Sequence, residues 1–209
     1  QMFPETFGRL SKLEILKVWN NDLRELPQSF GNLRGLKELN LNFNQIEHLP
    51  ESFSRLKSLR RLDMRKNNLK ELPKSFGDLK SLEWLVLDDN EITMLPESFG
   101  GLKALKSLKM QRNKVKHLPS SIGNLRALEY VDLYHNQLTQ LPSTIGNLSI
   151  LKNLRVSCNK QMTHLPSSMG NLRALEKLNI YNTNLTFLPE AIIELENCSI
   201  NLSFEIPRA

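Results

Sequence analysis

The sequence predicts a curved, right-handed α/β solenoid, with a parallel β-sheet on its concave face and short helices on its convex face. Three observations carry this. Leucines recur every 23 residues, at Leu36, Leu59, Leu82, Leu105 and Leu128, with Leu13 before them and Leu151 after them in register. Within each unit the apolar residues first alternate, as in a strand, and then fall three and four apart, as in a helix. A Leu-Pro step closes the first part of every unit, and that column holds eight of the ten prolines, from Pro27 to Pro189. Repeats of this length mean stacked units, since one unit cannot bury its own apolar face.

The elements follow in order along LxxLxLxxNxLxxLPxxhGxLxx, where h is apolar. The LxxLxL stretch, whose last apolar positions alternate, is read as a short strand whose leucines point inward. The asparagine comes next, at Asn21, Asn44, Asn67, Asn90, Asn113, Asn136 and Asn159, with Thr183 in the eighth unit. Its amide can satisfy backbone groups of the turn leaving the strand and of the neighbouring unit, forming a ladder. After the Leu-Pro step, Leu49, Phe53, Leu56 and Leu59 lie four, three and three apart, one face of a short helix, with Pro50 near its start. Glycine follows h in most units (Gly8, Gly31, Gly77, Gly100, Gly123, Gly146, Gly170), and Ser54 takes its place in one. A single inserted residue near Gln161 moves the eighth unit to Leu175.

The whole chain, 1–209, reads as one domain: a partial repeat over 1–12, eight repeats over 13–197 and a C-terminal cap over 198–209. Phe3-Pro4 and Phe7-Gly8 match the middle of a unit, so the chain is read as a fragment of a longer protein. At the other end, Ile200, Leu202 and Phe204 alternate like a last strand, with Glu194, Glu196 and Glu205 making that end polar.

Composition narrows the function. With 40% hydrophobic and 24% charged residues the chain is an ordinary well-packed protein. No window reaches the ~18 uninterrupted apolar residues of a membrane span. The formal charge of +6 permits an acidic partner without demanding nucleic acid, which is not expected as a partner. Cys158 and Cys198 show no metal-binding spacing, so they are expected as free thiols in a reducing, cytoplasmic setting. No metal or cofactor is expected. Sequons at Asn147, Asn184, Asn197 and Asn201 are read as chance triplets in an Asn-rich chain.

The leucines fill the core, so the x positions are left for the concave sheet and its rim. Trp19, Trp84, Tyr130, Tyr134 and Tyr181 all fall there, joined by Phe43. Tyr130 shares a column with Trp84, two units away, with Ser107 between them as a shallow notch; Tyr134 shares another with Trp19 and Tyr181. Exposed Trp and Tyr mark interface hot spots, although aromatic packing along the sheet also explains them.

Charges on this face come in bands that alternate in sign. Arg60, Arg61, Arg65 and Lys66 outnumber Asp63; then follow Glu83, Asp88, Asp89 and Glu91; then Lys106, Lys109, Arg112 and Lys114; then Glu129 and Asp132; then Lys152, Arg155 and Lys160. Neighbouring bands can pair with one another or match a banded partner. A protein partner on the concave face would use Trp84, Tyr130 and Tyr134 as anchors, with Trp19, Phe43 and Tyr181 extending the contact. Arg65, Asp88, Asp89, Lys109, Arg112 and Asp132 would fix register. A monomer is expected.

A second basic column, Arg34, Lys57, Lys80, Lys103, Arg126 and Arg173, follows the helix leucine, where cations suit the last carbonyls; a phosphate- or lipid-binding stripe is the alternative. His48, His117 and His164 share a freely varied column and read as surface. His135 and Cys158, neighbours in one rim column, lack the enclosed pocket a Cys/His couple needs. No phosphate loop or paired carboxylate cleft appears, and a solvated concave sheet is not expected to raise carboxylate pKa values. Catalysis by this segment is not expected.

The repeated unit resembles leucine-rich repeats over nearly the whole chain. The form LPxSFGNLxxLxxLxLxxN resembles the 23-residue units of plant Ras-group repeat proteins, and is similar to repeat regions of type III secreted effectors from bacterial plant pathogens. The tail LPEAIIELENCSINL resembles the closing repeat of the effector group more, although SFEIP stands where those repeats usually carry Asn-Pro. That resemblance implies a virulence-associated substrate-recognition module acting inside a host cell, with catalysis, often by an E3 ubiquitin ligase, in a separate region. The Ras-group resemblance implies an intracellular signalling scaffold instead.

Overall fold

A computed structural model describes residues 2–193, 195 and 197–202. Nine three-residue strands form one parallel sheet in strict chain order. They are β1 (Ile15–Lys17), β2 (Glu38–Asn40), β3 (Arg61–Asp63), β4 (Trp84–Val86), β5 (Ser107–Lys109), β6 (Tyr130–Asp132), β7 (Asn153–Arg155), β8 (Lys177–Asn179) and β9 (Ser199–Asn201). Register follows the repeat: Glu38 pairs with Arg61, Arg61 with Trp84, Trp84 with Ser107 and Ser107 with Tyr130. Asn153 pairs with Lys177, so the inserted residue is absorbed before β8 without a slip in facing. The sheet lines the concave face of a curved right-handed solenoid. β9 supplies the expected last strand, with Ile200 opposite Leu178. Phe204, Glu194, Glu196 and Glu205 lie outside the described residues.

The middle residue of each strand from β2 to β8, such as Leu39, Leu62, Leu85 and Leu108, is buried, and its two neighbours face the hollow; Leu16 and Ile200, in the end strands, are half-buried. Behind the strand leucines, Phe30, Phe53, Phe76 and Phe99 are fully buried and stack 6.2–6.4 Å apart with planes within 5°. Ile122, Ile145 and Met169 continue the column. Identical residues at identical positions meet because the units superimpose by translation and a small rotation.

The asparagine ladder forms as the spacing predicts. Asn90 donates from Nδ2 to the carbonyls of Met64 (2.9 Å) and Leu87 (3.0 Å), while its Oδ1 accepts the N–H of Leu69 (3.0 Å). Asn44, Asn67, Asn113, Asn136 and Asn159 repeat the pattern and are buried. Thr183 returns only one bond, Oγ1 to the carbonyl of Ile180 at 2.8 Å. It lacks the amide that would reach back to Met162. The inserted residue solves this: Met162 N–H turns to the carbonyl of Asn159 at 3.0 Å.

The short convex helices form where the spacing places them. The convex segments are 3-10 turns, among them Glu51–Arg55, Glu97–Gly101 and Ser120–Asn124, each flanked by an extended proline. The α-helix among the described residues is Glu190–Ile193. The cause is the three-residue spacing: Phe53, Leu56 and Leu59 donate to Pro50, Phe53 and Leu56, so every bond spans three residues and the side chains eclipse toward the core.

Glycine in the column after h allows close approach between units; a Cβ on Gly77 would overlap the carbonyl oxygen of Ser98. Where Ser54 stands instead, the next unit gives way. Its 3-10 turn shortens to Phe76–Asp78, and Ser75 Oγ donates to Ser54 Oγ at 2.9 Å.

One backbone feature escaped the sequence. Asn20, Phe43, Lys66, Asp89, Arg112, His135, Cys158 and Asn182 form one column, and all have φ between 52° and 60°. This is the left-handed region, costing roughly 1–2 kcal/mol per non-glycine residue. The turn off each strand requires it, and the residue types, which include Phe, Lys, Arg and Cys, do not announce it.

Candidate protein-binding face

The concave face is built from the strand positions flanking each buried leucine and from the residue two places beyond each strand. Trp84, Ser107 and Tyr130 lie on adjacent strands in one row, as the shared column requires. Cations lie over several of the rings. Arg61 sits 4.6 Å and Lys106 5.3 Å from the centre of the Trp84 ring. Lys109 lies 5.6 Å from Tyr130, and Lys66 4.5 Å from Phe43. Trp19, 58% exposed, and Phe43, 44% exposed, mark the N-terminal half of the face. Between them and Trp84, Glu38, Arg61, Asp63 and Trp84 line a hollow of about 220 Å³.

The C-terminal half is organised around Arg155. Its guanidinium lies 4.1 Å from the centre of the Tyr134 ring, donates from Nη2 to Tyr181 Oη at 3.0 Å, and reaches Asp132 Oδ2 from Nη1 at 3.4 Å. Tyr134 and Tyr181 approach to 6.4 Å across small, buried Ser157. Arg155 appeared in the sequence only as one cation in a band. Its column gave no hint that the tyrosines on either side would fold onto it, because that contact spans two units.

Asp132 departs from expectation. Its column faces the hollow, yet it is fully buried, because Tyr130, Tyr134 and Arg155 close over it. Its Oδ1 accepts the Tyr134 N–H at 3.0 Å, and its Oδ2 is 3.3 Å from the Tyr130 hydroxyl. It braces the rings and does not reach the surface. Partial burial, with Asp132 as a further cause, pushes the Tyr130 phenol pKa up.

Asp88 corrects a second expectation. It is half-buried, and desolvation raises its pKa; the Gln111 N–H, donating to Oδ1 at 2.9 Å, opposes this, and the negative charge of Asp132 adds to it. A second carboxylate, after Asp132, is thus sheltered on a face that sequence alone treats as solvated.

Of the remaining register residues, Arg65 forms a two-pronged contact with Asp63, at 3.1 and 2.7 Å. Arg112 lies 3.5 Å from Asp89 on the next rim turn. The bands do pair with each other: Glu14–Lys37 and Glu83–Lys106 at 2.7 Å and Glu129–Lys152 at 2.8 Å link successive units in one column. All but Glu83, which is half-buried, are exposed, and each exposed pair contributes under about 1 kcal/mol.

The basic convex column is explained structurally. Lys57, Lys103 and Arg126 donate to the carbonyls of Asp78, Asn124 and Asn147, the last residues of the next unit's 3-10 turn. His117 and His164 lie on the surface beside Thr139 and Gln140. His135 meets the edge of Tyr134, and Cys158 Sγ accepts from Asn182, so the two are not joined to each other. Among the described residues no three metal-ligating side chains converge, and no helix is long and apolar enough to cross a membrane.

Against known proteins, the family model described as a leucine-rich repeat region matches residues 31–112 and 99–199, and a second leucine-rich repeat model matches 1–46. No curated protein matches the chain in sequence. Among solved structures, the leucine-rich repeat domain of the type III effector XopL is 31% identical over 96% of this chain and 72% of that one, with a TM-score of 0.85. A leucine-rich repeat protein of Leptospira interrogans is 28% identical over 98% of this chain, with a TM-score of 0.76; this chain spans 63% of it. The plant peptide hormone receptor RGFR1, solved in complex with RGF2, is 30% identical over 96% of this chain and 34% of the receptor, with a TM-score of 0.86. Such repeat domains are typically binding modules rather than catalysts. The chain belongs to the leucine-rich repeat family.

Proposed function

We propose that this chain is a protein-recognition module whose concave face binds a protein partner. Trp84, Tyr130 and Tyr134 act as anchors, Trp19, Phe43 and Tyr181 extend the contact, and Arg65, Asp88, Asp89, Lys109 and Arg112 set its register. The observation that carries this reading is the segregation of every Trp and Tyr to the hollow side, where cations lie against Trp84, Tyr130, Tyr134 and Tyr181. Rings immobilised before contact lose little entropy on binding.

The likeness to the XopL repeat domain supports a finer reading: a target-binding region of a bacterial effector acting in the host cell, with any catalytic activity, such as E3 ubiquitin ligase activity, carried outside this chain. The test is affinity capture from plant-cell extract with the wild-type chain and with Trp84→Ala/Tyr134→Ala. A host protein retained by the first and lost by the second, at unchanged thermal midpoint, is the expected result. Equal capture by both refutes the concave-face reading, and a partner found only in bacterial extract refutes the effector reading.

A further inference from the structure

Toward the C-terminal end of the sheet lies a hollow of about 460 Å³, lined by Tyr130, Arg155, Lys177, Tyr181 and the asparagines Asn153 and Asn179. Its polar lining is rich in donors, and no carboxylate contributes to it. This differs from the N-terminal hollow, where Glu38 and Asp63 stand beside Arg61.

Arg155 here is held differently from Arg65. Arg65 is satisfied by both oxygens of Asp63, whereas Arg155 has a single carboxylate contact, at 3.4 Å. Asp132, behind it, spends its other acceptor capacity on Tyr134 and Tyr130 and is sealed from solvent. A guanidinium carries five N–H donors, and two bonds, to Asp132 and Tyr181, hold this one in place. Lys177 is exposed and makes no ion pair among the described residues. Two cations against one buried carboxylate leave the hollow with one excess positive charge. The guanidinium plane is meanwhile fixed by the Tyr134 ring and the Tyr181 hydroxyl.

We infer that this hollow receives an anionic side chain, carboxylate or phosphate, from a polypeptide lying across the concave sheet. The inference rests on the concave-face reading and specifies its chemistry. A planar fork held by its neighbours matches two oxygens of a carboxylate or phosphate, Lys177 adds a mobile charge at the mouth, and the asparagine amides and tyrosine hydroxyls can meet the ligand's backbone.

The experiment is to pan a random displayed peptide library on the full chain, then to titrate an enriched peptide by fluorescence anisotropy in Glu, Gln and phosphoserine forms at the selected position. Enrichment of Asp or Glu at one fixed position is expected, with the Gln form binding at least about tenfold more weakly, as loss of a charge-assisted bond implies. The tighter of the Glu and phosphoserine forms identifies the group. Lys177→Glu, at an exposed position that leaves the core intact, is expected to abolish the preference. Arg155→Lys, which keeps the charge but loses the fork, is expected to weaken it. A Gln form binding as tightly as the Glu form, or a library yielding only binders without acidic preference or no binder at all, overturns the proposal. The underlying reading fails separately, if peptide binding is indifferent to Trp84→Ala/Tyr134→Ala.

Discussion

Replacing Asn113 by alanine removes one rung of the ladder and shows what the rung is worth. The Asn113 amide donates to Leu87, Met110 and Gln111 carbonyls at 2.9, 3.3 and 3.2 Å, and its Oδ1 accepts the Ile92 N–H at 3.0 Å. All three of those carbonyls keep another donor, since Leu87 also receives Asn90, Met110 receives Asn136 and Gln111 receives the Asp89 N–H. The Ile92 N–H keeps none and is buried. An orphaned buried donor costs about 1–3 kcal/mol, and a lost intramolecular bond about 1 kcal/mol more, giving roughly 2–4 kcal/mol in total. Thr183 shows why Asn113→Thr is expected to fall within about 1 kcal/mol of alanine: a threonine hydroxyl satisfies its own unit's carbonyl but not the N–H of the preceding unit, which at Met162 needed an inserted residue. Asn21, whose exposed amide meets only the Trp19 carbonyl among the described residues, is the control, expected to cost under about 1 kcal/mol. Equilibrium urea unfolding gives the totals, and hydrogen exchange at the Ile92 amide localises the effect. An Asn113→Ala variant within about 0.5 kcal/mol of wild type, with Ile92 still protected, would refute the reasoning.

Two further outcomes follow from the same geometry. Gly77→Ala is expected to lower stability by about 1–3 kcal/mol, as overpacking does, because its Cβ meets the Ser98 carbonyl; urea unfolding checks this, and an unchanged midpoint contradicts the close-approach account. Asp88→Asn is expected to raise the thermal midpoint at neutral pH. Burial raises the folded-state pKa of Asp88 above its unfolded value, so its charged form opposes folding once pH rises above the unfolded pKa, near the ordinary aspartate value, and does so fully above the raised folded one. The gain should vanish in acid, where the carboxyl is protonated in both states; a gain independent of pH would assign it to something other than charge burial.

Much of the fold was legible because one signal was repeated. Each column, from the strand leucines to the Leu-Pro step, is read many times over, and the ladder of amides follows from Asn type and spacing alone. What stayed hidden depends on geometry between units. The left-handed turn at Phe43, Lys66 and Arg112 leaves no residue-type signature, since the strand exit imposes it regardless of side chain. The spacing showed short helices, but that their bonds span three residues is seen only in the structure. On the candidate face, the columns placed Trp84, Tyr130 and Tyr134 correctly on the outward positions. They could not say that Tyr134 and Tyr181 close over Ser157, that Tyr130, Tyr134 and Arg155 bury Asp132, nor that Arg155 is the hub, because side-chain reach across two strands is not a periodic property.

The central claim is that the ring-lined hollow, not the outer rim, meets the partner. Covalent footprinting of the chain with and without its captured partner tests it directly. The account predicts protection of Trp84, Tyr130, Tyr134 and Tyr181, with the convex Lys57, Lys103 and Arg126 labelled as before. Protection along that convex stripe, with the four rings still fully labelled in the complex, would contradict it.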